Sequence, residues 1–377
     1  MPVSRILYLD YTNNIGLGGG QRSLALLVRH LPRARFEPLV GCPPGEQLIG
    51  ILDPGITVLP LELAGRFRSV SRWEISPMTA APALATAWDA VRRLREIIRC
   101  QKIDLVHANN LKMFLVAAAA TTRVPVIWHV RDLFPAKALP WVRLAARAAR
   151  AVLAVSQAVA GQFRGARNVE VLYNAVERPA AALAGGELRR RLGIPAAATV
   201  IGYAGRLDRD KGLQTLVDAF LLLRSDDPNL HLLIAGEGPD RGVVEQFPVT
   251  LAGFQTDMGP FWDAVDVAVQ PSTGPDAFPR SVIEAMAHAK PVVASRIGGI
   301  PEAIEDPITG RLVPPSDPRA LATALKAVLA SPEKARGMGL AGRRRARRLF
   351  SVQAQMERLT EFYDGWLERK PRASQAA

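Results

Sequence analysis

The stretch that decides the fold runs from residue 271 to residue 304 and reads PSTGPDAFPRSVIEAMAHAKPVVASRIGGIPEAI. It places two carboxylates, Asp276 and Glu284, eight residues apart, and Pro279 and Ser281 open a predicted helix between them. An apolar strand and a Gly-Gly turn follow. The start of a helix offers unpaired backbone N–H groups and the positive end of the helix dipole, which suit a phosphate. The stretch therefore predicts a loop and helix that hold a phosphorylated sugar.

Short apolar strands alternate with helical segments along the rest of the chain, which is typical of parallel sheets built from βαβ units. The predicted strands are residues 6–9, 37–40, 57–59, 105–107, 125–128, 151–155, 170–172, 199–204, 230–235, 250–252, 265–270 and 291–294. The clearest predicted helices are residues 21–30, 84–99, 141–150 and 352–368. The fold class is therefore α/β, with two doubly wound Rossmann-like domains and a ligand crevice at the carboxyl ends of the strands.

The domain boundaries follow from composition. Residues 1–173 form the first domain, and residues 174–193, rich in Ala, Pro and Gly, form a linker with a short basic helix. Residues 194–350 form the second domain, and residues 369–377 form a tail. A length of 377 residues fits two domains.

Charge and composition narrow the class of protein. Of the formal net charge of +13, most lies in residues 1–180, which hold 23 Lys and Arg against 12 Asp and Glu. Such an excess attracts an anionic acceptor or an acidic membrane surface, although an Arg-rich composition without function explains it equally well. No nucleic-acid motif is present, aromatic residues make up only 6%, and Cys42 and Cys100 have no metal-ligand spacing. No run of 18 uncharged apolar residues and no signal peptide are found, so we expect a cytoplasmic protein.

The segment IGYAGRLDRDKGLQ, residues 201–214, begins the second domain. Arg206 and Lys211 flank a short loop between a strand and a helix, where two cations can neutralise a diphosphate. The alternative is that both are surface charges paired with Asp208 or Asp210.

Together these motifs resemble the retaining glycosyltransferases of family 4, which have the GT-B fold, two domains facing across a cleft, and the signature Glu, seven residues, Glu. Glu284 matches the second Glu, which grips the ribose in that family, and Asp276 replaces the first, which touches the donor sugar. The resemblance implies that Arg206 and Lys211 contact the donor phosphates, and that Gly253 and Phe254 pack around the nucleoside base. It also implies that no metal is used and that the last helix, residues 351–368, packs back on the first domain.

Two further motifs lie in the first domain. GLGGGQRSLALL, residues 16–27, lacks the spacing of a dinucleotide fingerprint but resembles the family's first loop, with Gly19 and Gly20 near the donor phosphates. VIWHVRD, residues 126–132, places His129 at the end of a strand, where the family often has a His that contacts the donor sugar. His107 ends the neighbouring strand and either lines the same crevice or belongs to the core.

The resemblance implies transfer of a sugar from a UDP- or GDP-sugar to a glycan or lipid-linked acceptor, with retention of configuration and without a cofactor. The catalytic set is Arg206, Lys211, Asp276 and His129, and the donor-binding set is Glu284, Gly253, Phe254, Gly19, Gly20 and Ser281. The alternatives are a nucleotide-sugar epimerase and a non-catalytic nucleotide-sugar-binding protein; a nicotinamide-dependent enzyme would need the missing fingerprint. A peripheral place on the inner face of a membrane would involve the basic residues Arg66, Arg68, Arg72, Arg92, Arg93, Arg95 and Arg99 around Trp73 and Trp88.

Overall fold

The computed structural model describes residues 3–11, 17–63, 87–177 and 185–368. The chain divides into two compact units: unit 1 comprises Met1–Tyr173 and Val352–Ala377, and unit 2 comprises Asn174–Ser351. The strands of unit 1 are β1 (Ser4–Leu9), β2 (Phe36–Cys42), β3 (Thr57–Pro60), β4 (Leu105–Ala108), β5 (Val126–Val130), β6 (Ala151–Ala154) and β7 (Val169–Val171). Those of unit 2 are β8 (Thr199–Ala204), β9 (Leu230–Ala235), β10 (Thr250–Gly253), β11 (Val267–Gln270), β12 (Val292–Ser295) and β13 (Arg311–Val313).

The helices alternate with these strands. They are α1 (Gly19–His30), α2 (Trp88–Cys100), α3 (Leu111–Ala120), α4 (Leu139–Ala146), α5 (Gln157–Ala160), α6 (Gly185–Arg191), α7 (Leu213–Arg224), α8 (Gly242–Glu245), α9 (Gly259–Ala264), α10 (Arg280–Ala287), α11 (Ile300–Ala303), α12 (Pro318–Leu329), α13 (Pro332–Leu349) and α14 (Val352–Leu367). Polar side chains start several of them: Asn110 caps α3, Ser156 caps α5 and Asp317 caps α12.

Each unit is a parallel sheet, which confirms the predicted α/β class with two doubly wound domains. The strand order is β3-β2-β1-β4-β5-β6-β7 in unit 1 and β10-β9-β8-β11-β12-β13 in unit 2. In each sheet the order reverses once, between β1 and β4 and between β8 and β11. Open α/β sheets bind ligands outside the carboxyl ends of the strands at such a point.

The last helix, α14, belongs to unit 1. Its apolar face, formed by Met356, Leu359, Phe362 and Tyr363, lies in the same buried cluster as Ile6 of β1. The Gln355 amide, near the start of α14, donates to the carbonyl of Tyr173 at 2.7 Å. This bond ties the start of α14 to the last residue of the Met1–Tyr173 part of unit 1.

Two predicted helices have different bounds in the structure, and one observed strand was not predicted. Helix α1 begins two residues early, at Gly19, because the Gln21 side chain accepts the Gly18 N–H at 3.0 Å and so caps the first turn. Helix α4 ends at Ala146 because the next three N–H groups bond to carbonyls three residues back and form a tighter turn. Strand β13 was not predicted, since only three residues pair with β12.

Candidate functional site

Two loops meet at the point where the strand order of unit 2 reverses. One leaves β8 and enters α7 through a 3₁₀ turn at Arg209–Lys211, and the other leaves β11 and enters α10. The Asp210 carbonyl accepts the N–H groups of Thr273 and Gly274, both at 3.0 Å. Gly212 has φ +69°, and a Cβ there would lie 2.0 Å from the Pro271 carbonyl oxygen, so only glycine allows this approach.

Lys211 and Asp276 form an ion pair at the centre of these loops. The Lys211 ammonium donates to the Asp276 carboxylate at 2.6 Å, and Asp276 is only 7% exposed. The carboxylate also accepts from Ser272 Oγ at 3.0 Å, and Ser272 in turn accepts from the Gln270 amide at 2.9 Å. Ser281 donates to Gln270 Oε1 at 2.7 Å. The structure therefore connects three predicted site residues, and Lys211 pairs with Asp276 rather than with Asp208 or Asp210, the partners that the alternative interpretation gave it.

The Gly-Gly turn of residues 298 and 299 holds the Asp276 backbone. The Gly299 N–H donates to the Asp276 carbonyl at 2.9 Å. Gly298 has φ +56°, and a Cβ on it would lie 2.0 Å from that same oxygen. The turn that follows β12 thus fixes the position of the carboxylate.

Arg206 lies on the other loop of unit 2. Its Nε donates to the Asp208 carboxylate at 2.7 Å, as the alternative interpretation of this cation expected. Its carbonyl accepts from the Tyr203 hydroxyl at 3.0 Å, and burial raises the pKa of that buried phenol well above its ordinary value. The guanidinium remains partly exposed at the end of β8.

Glu284 lies one turn into α10. Arg280, one helical turn before it, donates to its carboxylate at 3.1 Å. Arg280 also donates to the Ala175 carbonyl at 3.0 Å. No side chain among the described residues caps α10, whose N-cap is Pro279. Glu284 therefore lies on the helix whose first turn was predicted to bind a phosphate.

Gly253 and Phe254 lie at the end of β10, two strands from β8 in the sheet order. The Gly253 carbonyl accepts the Gly236 N–H at 2.9 Å. The Phe254 ring is 48% exposed. An exposed aromatic ring at the end of a strand suits the predicted contact with a nucleoside base, which stays a prediction.

In unit 1, a buried carboxylate lies where the strand order reverses. Asp10 follows β1 and accepts from the Asn110 amide at 2.7 Å, the Asn109 amide at 3.2 Å and the Tyr11 N–H at 2.8 Å. Arg131 donates to Asn109 Oδ1 at 2.5 Å. Burial raises the pKa of Asp10, against the effect of these hydrogen bonds.

The two histidines of neighbouring strands form a second buried group. His107 Nε2 and His129 Nδ1 are 3.0 Å apart, and the Tyr363 hydroxyl lies 2.6 Å from His107 Nδ1 and 3.1 Å from the Tyr8 hydroxyl. Arg131 Nη2 lies 3.3 Å from His129 Nδ1. Burial lowers the pKa of His107 to about 3, and burial followed by the Arg131 charge lowers the pKa of His129 well below its ordinary value. Both rings are therefore neutral at pH 7.

His129 lies next to the end of β5, as predicted, but its imidazole is fully buried. Its Nε2 has no hydrogen-bond partner among the described residues. The predicted site glycines, Gly19 and Gly20, form the first turn of α1, and the Gly20 carbonyl accepts from Asn109 at 3.4 Å. The structure thus connects the Gly20 turn to Asp10 through one asparagine.

Sequence reasoning missed five residues of unit 1. Four of them are Asp10, Asn109, Asn110 and Arg131, which follow β1, β4 and β5. Polar residues directly after neighbouring parallel strands are a readable signal. The fifth, Tyr363, lies 256 residues from His107 in the chain, so no local pattern could reveal the contact.

Helix α2 carries the predicted basic surface. Its arginines line a cavity of about 670 Å³ together with Asp89 and Glu96. Trp88 is 56% exposed, and the Arg95 guanidinium lies 5.4 Å from the centre of its ring. Arg66, Arg68, Arg72 and Trp73 lie outside the described residues.

Within the described ranges, no group of three His, Cys, Asp or Glu side chains is arranged to hold a metal ion. In the same residues, no helix is both long and apolar enough to cross a membrane.

Two models of glycosyltransferase families match this chain. "Glycosyltransferase Family 4" matches residues 17–178 and "Glycosyl transferases group 1" matches residues 198–331, so that together they cover most of it. D-inositol 3-phosphate glycosyltransferase of Corynebacterium urealyticum is 33% identical over 213 residues, which are 49% of this chain and 49% of that protein. Lipopolysaccharide 1,2-N-acetylglucosaminetransferase of Salmonella typhimurium is 33% identical over 165 residues, 39% of this chain and 43% of that protein. The chain spans about half the length of the curated relatives it matches.

Solved structures resemble the chain over almost its whole length. The Anabaena protein HepE, in a complex with UDP and glucose, has a TM-score of 0.78 at 25% identity and covers 95% of this chain and 99% of its own. Sucrose-phosphate synthase of Thermosynechococcus elongatus has a TM-score of 0.75 at 22% identity, over 97% of this chain and 99% of its own.

Proposed function

The chain belongs to the family 4 glycosyltransferases, and we propose that it transfers a sugar from a nucleoside diphosphate donor to an acceptor hydroxyl with retention of configuration. The observation that carries this proposal is the Lys211–Asp276 pair at the reversal point of unit 2. A cation and a carboxylate meet there beside an uncapped helix, where parallel sheets bind ligands.

The two cations of unit 2, Arg206 and Lys211, would bind the phosphates of the donor. The Arg206 guanidinium is partly exposed and the Lys211 ammonium is held by a single carboxylate, so both can turn to an entering diphosphate. The first turn of α10 supplies backbone N–H groups and the positive end of its dipole. These groups would stabilise the charge that grows on the leaving diphosphate.

The two carboxylates would bind hydroxyl groups of the donor: Asp276 those of the sugar and Glu284 those of the ribose. When Lys211 turns to a phosphate, a sugar hydroxyl can take its place as a donor to Asp276 Oδ2, while Ser272 still donates to the same oxygen and holds the carboxylate in place. Glu284, one turn after the start of α10, would accept a hydrogen bond from a ribose hydroxyl. His129 would donate to the sugar, as the family resemblance implies.

In the proposed step, the bond between the anomeric carbon and the diphosphate oxygen breaks, and a bond to the acceptor oxygen forms on the same face. The proton of the acceptor hydroxyl passes to the leaving phosphate oxygen, so no protein base and no metal ion are needed. The protein contributes position and charge.

We propose that the donor is a UDP-sugar rather than a GDP-sugar. The support is the similarity to HepE, a protein whose structure contains UDP and glucose. The exposed ring of Phe254 at the end of β10 would stack on the base.

For the acceptor, we propose a glycan or a lipid-linked sugar, presented at the inner face of an anionic membrane. The support is helix α2, where four arginines line one cavity and Arg95, one of them, lies over the ring of the exposed Trp88. Cations beside an exposed indole are typical of surfaces that dock on anionic lipids.

The test is turnover of a panel of UDP- and GDP-sugars with a chelator present, followed by assignment of the anomeric configuration of the product by NMR. We expect release of one nucleoside diphosphate and a product with the configuration of the donor. Release that depends on added metal, or an inverted product, would contradict the mechanism. Turnover of none of these donors, with binding intact, would favour a non-catalytic nucleotide-sugar-binding protein.

A further inference from the structure

The buried histidines of unit 1 have only two possible arrangements of their protons. In one, His107 donates from Nδ1 to Tyr363 and accepts at Nε2 from His129 Nδ1. In the other, Tyr363 donates to His107 Nδ1, and His107 Nε2–H donates to His129 Nδ1. A hydroxyl rotates freely enough to serve either arrangement, so Tyr8 and Tyr363 do not decide between them.

Arg131 decides between them. Its Nη2, which can only donate, lies 3.3 Å from His129 Nδ1. In the first arrangement this nitrogen carries a proton and two donors face each other. In the second it accepts from both Arg131 and His107, whose Nε2 lies 3.0 Å away. The second arrangement therefore satisfies every group that faces His129 Nδ1.

We propose that Arg131 and His107 are positioning residues that hold His129 in the tautomer with its proton on Nε2. The protonated nitrogen is the one that has no partner among the described residues, although the ring is fully buried. A buried donor without a partner is rare in folded proteins and points to a ligand or a water. Arg131, two residues after His129, thus sets the direction in which the imidazole donates.

The inference rests on the proposed function only for the identity of the ligand, which is an oxygen of the donor sugar. The tautomer itself is a property of unit 1. Burial and the Arg131 charge both keep the two imidazoles neutral, which a tautomer switch requires. The charged groups around the rings are Arg131 and, through Asn109, Asp10.

The tautomer is tested by NMR on the full chain labelled with ¹⁵N in its histidine rings, with the His129 signals identified by their loss in His129→Asn. We expect His129 to be neutral, with Nε2 protonated and Nδ1 not. In Arg131→Leu, no guanidinium donor faces His129 Nδ1, so the single tautomer should become a mixture. An Nδ1–H form or an imidazolium in the wild type would overturn the proposal.

Turnover gives the second readout. In Arg131→Leu, kcat should fall about tenfold, while the donor KM stays unchanged. Tyr363→Phe is the comparison: it removes a hydroxyl that fits both arrangements and should keep the wild-type tautomer. His107→Gln keeps an amide N–H near Nε2 and should exceed His107→Leu in kcat.

The outcomes separate the two proposals. A wild-type spectrum and kcat in Arg131→Leu would overturn the role of Arg131. The expected tautomer, lost in Arg131→Leu, in a chain that turns over no nucleotide sugar would support the positioning network and count against the proposed function.

Discussion

The two strand-end sites differ in how their polar side chains are held. In unit 2 they are charges in pairs: Lys211 with Asp276, Arg206 with Asp208 and Arg280 with Glu284. In unit 1 the residues around His129 are joined by hydrogen bonds, and both imidazoles are neutral and fully buried. Charges that are partly exposed can exchange their partners for a charged ligand. A buried neutral network can only orient a donor or an acceptor.

The largest expected effect is on turnover, in Lys211→Ala. The leaving diphosphate would lose a charged donor, so kcat/KM should fall roughly 10²–10³-fold. The chain offers a matched control in Lys326→Ala. Lys326 pairs with Asp226 at 2.7 Å, against 2.6 Å for Lys211 and Asp276, but its side chain is 65% exposed against 24%. Turnover in Lys326→Ala should equal that of the wild type, and equal losses in both variants would contradict a special role for Lys211.

The next effect is on stability and compares one glycine of each site. Gly298→Ala forces a side chain into the left-handed region and against the Asp276 carbonyl, so the free energy of unfolding should fall by roughly 1–3 kcal/mol or more. In Gly20→Ala the new Cβ would lie 3.6 Å from Arg131 Cδ, an ordinary contact within a helix. This variant should be neutral or stabilised by roughly 0.5–1 kcal/mol. Urea denaturation measures both, and a destabilised Gly20→Ala would show that the α1 turn is as tightly packed as the unit 2 loops.

The buried histidines predict a pH dependence of the stability of unit 1. An unfolded imidazole binds a proton near pH 6.5, whereas His107 in the fold does so only near pH 3. Between these values the unfolded chain binds more protons, so the free energy of unfolding falls as the pH is lowered, by up to about 1.4 kcal/mol per pH unit and histidine.

The variant His107→Gln isolates this effect, because the other titrating groups, including Asp10 and His129, remain. The wild type should lose stability more steeply than His107→Gln between pH 6.5 and pH 4, as followed by urea midpoints. Parallel curves would mean that His107 is not held neutral by burial.

The smallest effect concerns the departure from the family signature. Asp276→Glu lengthens the side chain that Lys211 and Ser272 hold, and so moves the carboxylate relative to the sugar. One displaced hydrogen bond is worth roughly 0.5–1.5 kcal/mol, so the ratio of kcat/KM between two donor sugars should change by up to about tenfold. The affinity for the nucleoside diphosphate alone should not change, and an unchanged ratio would show that Asp276 does not contact the sugar.

The sequence predicted where the strands and the site residues lie better than which side chains pair with each other. Alternating apolar segments placed twelve of the thirteen described strands, because buried parallel strands are continuous apolar runs. β13 was missed, since its three residues, one exposed, one half-buried and one buried, form no such run. Lys211 and Asp276 were each predicted to be site residues, but their pairing across 65 residues depends on how two loops pack.

Side chains that pair within one helix are easier to predict from the sequence. The Arg280–Glu284 pair has the i, i+4 spacing and was readable from the sequence. The unit 1 network was less accessible to such reasoning, since it joins β1, β4, β5 and α14. The polar residues after β1, β4 and β5 and the histidines near the ends of β4 and β5 are the parts of this network that left a local signal.

The measurement that tests the account most directly is the melting temperature with UDP, GDP, ADP or NAD, with chelator present, in the wild type, Lys211→Ala and Lys326→Ala. A ligand that binds only the native state at a hundredfold excess over its dissociation constant stabilises it by about 2.7 kcal/mol. We expect one nucleoside diphosphate, UDP, to raise the melting temperature of the wild type and Lys326→Ala but not of Lys211→Ala. A rise with NAD alone, or an equal rise with UDP in Lys211→Ala, would contradict a diphosphate site built on Lys211.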